Sequence, residues 1–270
     1  MNNQSPFIQK MRSGQVCLGT CITFSDPAVT EAVSANLDFV WIEMEHNPLS
    51  LETVQAHIIA TSSSKATPLV RVAWNDPVLI KPVLDLGAAG VIVPMVRNAE
   101  EARKAVAACL YPPAGIRGFG PRRPGNYGRI GGPEYCKNAN ESVIVIPQLE
   151  HVEAVKNIDE IVRVPGVTAI VIGPNDLSGS MGLLGQPRHP DVMAGIDAII
   201  QGARKADIPV GLGVGVDYDD LTMWINKGAN WLSMGADFVF MSQSADQLAQ
   251  RLRSQKPMAS GDRKAQKSGS

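Results

Sequence analysis

The chain has 270 residues, 44% of them apolar, and a formal net charge of −1. That length suits one α/β barrel domain, and near-neutrality gives no electrostatic case for nucleic acid or an anionic membrane surface as partner. No apolar run approaches the roughly 20 residues a membrane span needs, and the polar start M-N-N-Q-S-P-F-I-Q-K lacks the apolar core of a signal peptide, so a cytoplasmic location is expected.

In chain order, residues 8–13 read as a short helix closing the bottom of the fold. Residues 16–24 are strand-like, and Asp26-Pro27 then supplies an N-cap followed by proline at the first helical position. Further strands are expected at 39–43, 68–72 and 91–94, with helices at 27–36, 51–61, 77–86 and 99–110. The alternation pauses from 111 to 140, a Gly- and Pro-rich stretch broken by a short helix near 134–139. A loop of that length in a compact domain is usually functional or disordered. Its Arg117, Arg122, Arg123 and Arg129 read either as a solvated face or as a clamp on a second substrate carboxylate.

The stretch from Val143 to Ser178 organises the rest. Two β-branched runs, 143–146 and 169–172, flank apolar positions at helical spacing: Val152, Val155, Ile158, Ile161 and Val162. That is a strand–helix–strand unit whose right-handed crossover makes the strands parallel and adjacent. Adjacent strands lie about 4.8 Å apart, so carboxylates just past their ends, Glu150 and Asp176, can converge on one cation. Helices at 191–206, 218–227 and 242–253 alternate with strands at 210–212 and 231–234. Eight strand–helix units predict a closed (β/α)8 TIM barrel over residues 1–254, with an open doubly wound sheet as runner-up. The polar tail, 255–270, is expected to be disordered.

The strand ends collect a polar set: Glu43, Glu45 and His46, Arg71, Gln148 and Glu150, Asn175 and Asp176. Several acids, one histidine and one arginine on one rim point to an active site. Carboxylate donors without cysteine favour a hard divalent ion, Mg2+ or Mn2+, with Co2+ or Zn2+ as less favoured occupants. His46 suits a general base, while His57, His151 and His189 fall on a helix, at a helix start and in a loop and read as non-catalytic. Arg71 stands in an apolar run and must meet an anion: Glu43, Glu45 or a substrate oxygen. The four cysteines read as reduced, packed thiols. Gly211, Gly213 and Gly215 follow a strand without opening a helix, which indicates close backbone approach at the barrel mouth, not nucleotide binding.

The runs I-E-M-E-H at 42–46, L-V-R at 69–71, V-L-D-L-G-A at 83–88, Y-P-P-x-G-x-R-G at 111–118, P-Q-L-E at 147–150, I-G-P-N-D-L-S at 172–178 and G-x-P-x-H-P-x-V at 185–192 together resemble the HpcH/HpaI aldolase family. The resemblance implies a class II, metal-dependent aldolase that cleaves 4-hydroxy-2-oxo acids to pyruvate and an aldehyde through a metal-stabilised enolate. It implies Glu150 and Asp176 as metal ligands, and Gln148, Asn175 and Asp176 as pyruvate-binding residues. Arg71 becomes the enolate stabiliser, His46 the base, and Asp85 the residue that raises the basicity of His46. It further implies a homo-oligomer, a hexamer built as a trimer of dimers, with the last helix (Ala245, Leu248, Ala249, Leu252) exchanged between subunits. The family often has Asp-Gly-Glu-His where this chain has Glu43-Met44-Glu45-His46, and the extra methylene of Glu43 with the bulk of Met44 is expected to narrow or re-aim the pocket. No lysine is placed for a Schiff base. Oxaloacetate decarboxylation, an enolate-trapping synthase and a non-catalytic 2-oxo-acid-binding barrel are the rival readings.

Overall fold

The structure, a computed structural model, describes residues 6–255. Helix α1 (Pro6–Arg12) leads into β1 (Cys17–Ile22), α2 (Pro27–Ser34), β2 (Phe39–Glu43), α3 (Leu51–Ala60), β3 (Thr67–Arg71), α4 (Pro77–Asp85) and β4 (Gly90–Val93). There follow α5 (Ala99–Cys109), α6 (Gly132–Ser142), β5 (Ile144–Leu149), α7 (Val152–Lys156), α8 (Ile158–Ile161), β6 (Ile170–Ile172) and α9 (Pro174–Ser180). The chain closes with α10 (Pro190–Lys205), β7 (Val210–Val214), α11 (Tyr218–Lys227), β8 (Trp231–Ala236) and α12 (Asp237–Ser254). The eight strands form a closed barrel in sequence order. Every pairing is parallel, and β1 meets β8 across a register shift between Gly19 and Cys21. The TIM barrel is the architecture; the open sheet is not.

Alternation along the strands sorts the barrel interior by height. Phe39, Trp41 and Glu43 share one face of β2, as do Ile144, Ile146 and Gln148 of β5, and Trp231 and Ser233 of β8. The lower members form an apolar plug with Leu69, Ile92, Val171 and the α1 residues Phe7, Ile8 and Met11. Ring centroids stand 5.2 Å apart for Phe7–Phe39 and 5.4 Å for Phe39–Trp231. This fills the bottom and leaves the polar upper members facing the mouth. A Cβ at Gly211 would strike the Trp231 indole, so close approach governs that glycine deep in the barrel. Gly213 and Gly215 meet nothing within 4 Å and face open space, unlike the close contact expected of all three. A second core lies between the strands and the outer helices.

Several elements differ from expectation. The helix expected across 151–164 is two short helices, α7 and α8, parted at Asn157, whose side chain donates to the Arg97 carbonyl at 3.0 Å. Residues 174–180 form α9, so Asn175 and Asp176, read as lying just past a strand end, sit in a first helical turn. The short helix read near 134–139 is the longer α6, which carries Cys136. Helix α12 begins at Asp237, five residues earlier than read, because the Asp237 carboxylate anchors its start to β1 through Thr23 and Phe24. Of the tail, residues 256–270 lie outside the described residues.

The loop from 111 to 131 packs at the barrel bottom. Arg117 stacks on Tyr111 at 4.5 Å and pairs with Asp85 at 2.7 Å, and Arg123 donates to the Ser62 hydroxyl at 3.2 Å. Arg117 and Arg123 line a cavity with Thr67, Pro68, Ala89 and Val143, which belong to strand starts.

Candidate active site

A cavity of about 270 Å³ opens at the C-terminal ends of the strands. Glu43, His46, Arg71, Gln148, Asn175 and Asp176 all line it, so six of the residues picked from sequence share one wall. Parallel barrels keep their chemistry at this end.

Glu43 organises one side. It is 2% exposed, and the register places it directly beside Arg71. Its carboxylate accepts from Trp41 Nε1 at 3.0 Å, from the backbone N–H groups of Glu45 and His46 at 2.6 and 3.2 Å, and from Arg71 Nε at 2.5 Å. Arg71 also lies 3.0 Å from Glu45 and donates through Nη1 to Gln148 Oε1 at 3.3 Å. Burial alone would depress the guanidinium, but Glu43 and Glu45 raise it. Arg71 thus meets both anions that the sequence offered as alternatives, and Nη2 is the donor these pairs leave for a substrate oxygen.

Glu150 organises the other. Its Oε1 accepts from the Met95 N–H at 2.8 Å, and its Oε2 takes a short hydrogen bond from Gln148 Nε2. Met95 holds a left-handed backbone (φ 57°), the conformation that turns its N–H toward the carboxylate. A Cβ at Gly173 would fall 2.5 Å from Glu150 Oε2, so glycine there leaves room for the carboxylate. Burial pushes the Glu150 carboxyl up to about 7, opposed by the hydrogen bonds from Gln148 and Met95 and reinforced by Glu45 and Asp176. Glu45 is likewise pushed up to about 7 by burial, against Arg71, with Glu43 and Asp176 adding to it.

Carboxylates crowded around a buried Glu150 in a partly dry pocket favour a cation between them. Glu150 keeps lone pairs beyond its two hydrogen bonds, and Asp176 stands exposed at the adjoining rim. Among the described residues, no three His, Cys, Asp or Glu side chains are arranged as a full metal cage. Two carboxylates with water completing the shell is a donor set that fits a hard divalent ion.

The remaining expectations divide. The His46 side chain is 63% exposed, and its Nε2 is 3.7 Å from Glu45. Asp85 ends α4 and pairs with Arg117 at the barrel bottom, apart from His46. Arg122 and Arg123 belong to the loop packed at that same end, so they form no clamp over the mouth. Met44 packs into the outer core, because the residue after an inward-facing Glu43 points outward, and it does not narrow the pocket. His57 is fully buried, and His151 and His189 cap α7 and α10. The four thiols are free, and burial pushes Cys17 and Cys109 up to about 12. Sequence reading passed over Trp41, Cys21, Ser233 and Gly235 in the lining. The two-residue period from Glu43 back to Trp41, and from Trp231 to Ser233 and Gly235, carries that information. Nothing in the sequence announces Met95.

A closed parallel barrel with a carboxylate, amide and guanidinium mouth is the arrangement of a (β/α)8 enzyme. A family model for HpcH/HpaI aldolase/citrate lyase matches residues 23–243, and the chain belongs to that family. A 4-hydroxy-2-oxo-heptane-1,7-dioate aldolase from Shigella sonnei (strain Ss046) is 37% identical over 255 residues, covering 93% of this chain and 96% of its own length. The crystal structure of an HpcH/HpaI aldolase/citrate lyase family protein from Burkholderia cenocepacia J2315 superposes with a TM-score of 0.88 at 28% identity, over 93% of this chain and all of that one. A macrophomate synthase structure follows at TM-score 0.81 and 27% identity, covering 93% and 90% of the two chains. The protein is an aldolase-type lyase.

Proposed function

We propose that this chain cleaves 4-hydroxy-2-oxo acids to pyruvate and an aldehyde with a divalent ion, Mg2+ or Mn2+, held by Glu150 and Asp176. The observation that carries this is the continuous chain Glu43–Arg71–Gln148–Glu150 across β2, β3 and β5, ending beside Asp176. The ion supplies a Lewis acid at the 2-oxo-acid head group. Gln148 and the α9 residues Asn175 and Asp176 bind that head group, and Arg71 Nη2 faces the oxygen on which charge develops when the C3–C4 bond breaks. Trp41, Glu43 and Glu45 fix the guanidinium so that it need not reorganise. His46 takes the C4 hydroxyl proton. Its exposure suits a group that meets substrate and solvent in turn.

The dicarboxylate in the names of the similar aldolases makes 4-hydroxy-2-oxo-heptane-1,7-dioate the first substrate to try. Likeness to a synthase supports enolate trapping as a second use of the same site. Asp85 can act on His46 only from a neighbouring subunit. We therefore assign it that place in a homo-oligomer, a hexamer formed through α12, in the cytoplasm, with residues 1–254 as one domain.

Pyruvate release from that substrate should require added divalent metal. Glu150→Gln should lose at least about 10²-fold in kcat/KM, since it removes a charge and weakens a ligand of an oxygen site. Full activity after exhaustive chelation would sink the assignment.

A further inference from the structure

Arg188 belongs to none of the machinery above. It lies between α9 and α10, and its guanidinium stacks on the Trp224 ring at 4.6 Å and is ion-paired to Asp220 through Nη2. Among the described residues Nη1 meets only thioether sulfurs, Met223 Sδ at 3.5 Å and Met193 Sδ at 4.0 Å. Sulfur is a weak acceptor, so a strong donor stands there without a strong partner. The side chain is 44% exposed, yet ring and ion pair hold it in one place.

That place is a side chamber of the active site. Arg188, Asp220 and Trp224 line a hollow of about 200 Å³ whose other wall is Pro174, Asn175, Gly213 and Val214. Those four residues line the catalytic cavity as well, so the two spaces adjoin across them. Gly213 and Gly215 stand at this wall, where a Cβ would meet nothing within 4 Å, so neither brings a side chain between the two spaces. The head-group residues Asn175 and Asp176 sit at the inner end and the guanidinium at the outer end.

We infer that Arg188 binds the distal carboxylate of a dicarboxylic 4-hydroxy-2-oxo acid, with the carbon chain lying along the Gly213–Gly215 wall between. The inference rests on the proposed aldolase reading and adds the part of the site that selects the aldehyde half. A planar guanidinium stacked and pinned from one side is preorganised for a carboxylate on its free edge. Asp220 holds it there, and the incoming carboxylate replaces weak sulfur contacts, not a strong hydrogen bond.

Two unreactive probes isolate the contact: 2-oxoheptanedioate and 2-oxoheptanoate share the head group and chain, lack the C4 hydroxyl and differ only in the second carboxylate. Dissociation constants are measured by calorimetry on the full chain with Mg2+, for the wild type, Arg188→Gln and Arg188→Lys. The wild type should prefer the dioate by about tenfold or more, the worth of one charge-assisted pair. Arg188→Gln should erase that preference by weakening the dioate, and Arg188→Lys should keep part of it. If the wild type binds both probes equally, or Arg188→Gln weakens both alike, Arg188 does not read the tail and the aldolase reading stands. If neither probe binds the wild type, the 2-oxo-acid reading falls, and this inference with it.

Discussion

Glu43 shows what one methylene can do. Its carboxylate takes four donors at once, two from backbone and two from the ring nitrogen of Trp41 and Nε of Arg71. The longer side chain lets it lean across the strand pair to Arg71 while still closing the turn to His46. Glu43→Gln replaces an anion by an amide that must turn one N–H toward a donor. Arg71 then loses its principal counter-charge and its aim. We expect kcat/KM to fall about 10–100-fold, the usual effect of losing a supporting partner, and the melting temperature to fall with it, because a buried ion pair loses its anion. Steady-state kinetics and a thermal melt check both halves, and an unimpaired enzyme would show that Glu45 alone positions the guanidinium. His57 offers a second test far from the chemistry. Burial holds its imidazole below the ordinary range, and Thr30 Oγ1 lies 2.8 Å from Nδ1. The unfolded chain therefore binds a proton below about pH 6.5 that the folded chain refuses. This contribution to stability is complete above that pH and is lost as pH falls. His57→Gln should flatten the decline of the melting temperature between about pH 7 and 5 relative to wild type; parallel curves would contradict the linkage.

At the scale of elements, the joint between β8 and α12 is the most exacting. Asp237 is 2% exposed and accepts from Thr23 N at 2.8 Å, Thr23 Oγ1 at 2.6 Å, Phe24 N at 2.9 Å and Phe238 N at 2.9 Å. Asp237→Ala strands these donors beneath the helix start. A loss of about 3 kcal/mol is expected from denaturant unfolding, since hydrogen bonds to a charged group contribute roughly 1.5–3 kcal/mol each and do not add fully. The same joint shows where sequence reading reaches its end. Strands such as 39–43 and 231–236 are legible because apolar β-branched and aromatic residues alternate on a barrel wall. Glu43, Arg71, Gln148 and Asp176 are legible because they fall where those strands stop. The early start of α12 is not, because the donors that hold Asp237 lie more than 200 residues away, just past β1. The break at Asn157 depends on Arg97, and the seat of the loop after α5 depends on Asp85 meeting Arg117. Each is a pairing between distant segments that no local pattern encodes. Arg188 went unread for the same reason, since only the fold brings Trp224 and Asp220 beside it.

At the scale of the molecule, α12 is a helix without a core. Its 18 residues span about 27 Å at 1.5 Å per residue. Only Asp237 of the helix is buried, while Phe238, Met241, Leu248 and Leu252 are between 49% and 59% exposed. With Ala245 they recur at steps of three and four residues, which sets them in one stripe along the helix. Leu248→Glu with Leu252→Glu places two charges in that stripe. The barrel should keep its circular dichroism and metal affinity, because nothing in its core touches these positions. Sedimentation at micromolar concentration should show a larger wild-type assembly and a monomeric variant. Because Asp85 sits at the barrel bottom of its own subunit, the variant should also lose aldol cleavage while retaining 2-oxo-acid binding, which needs only Arg71, Gln148 and the α9 residues. A monomeric variant with full cleavage would remove Asp85 from the reaction and leave His46 to act without it.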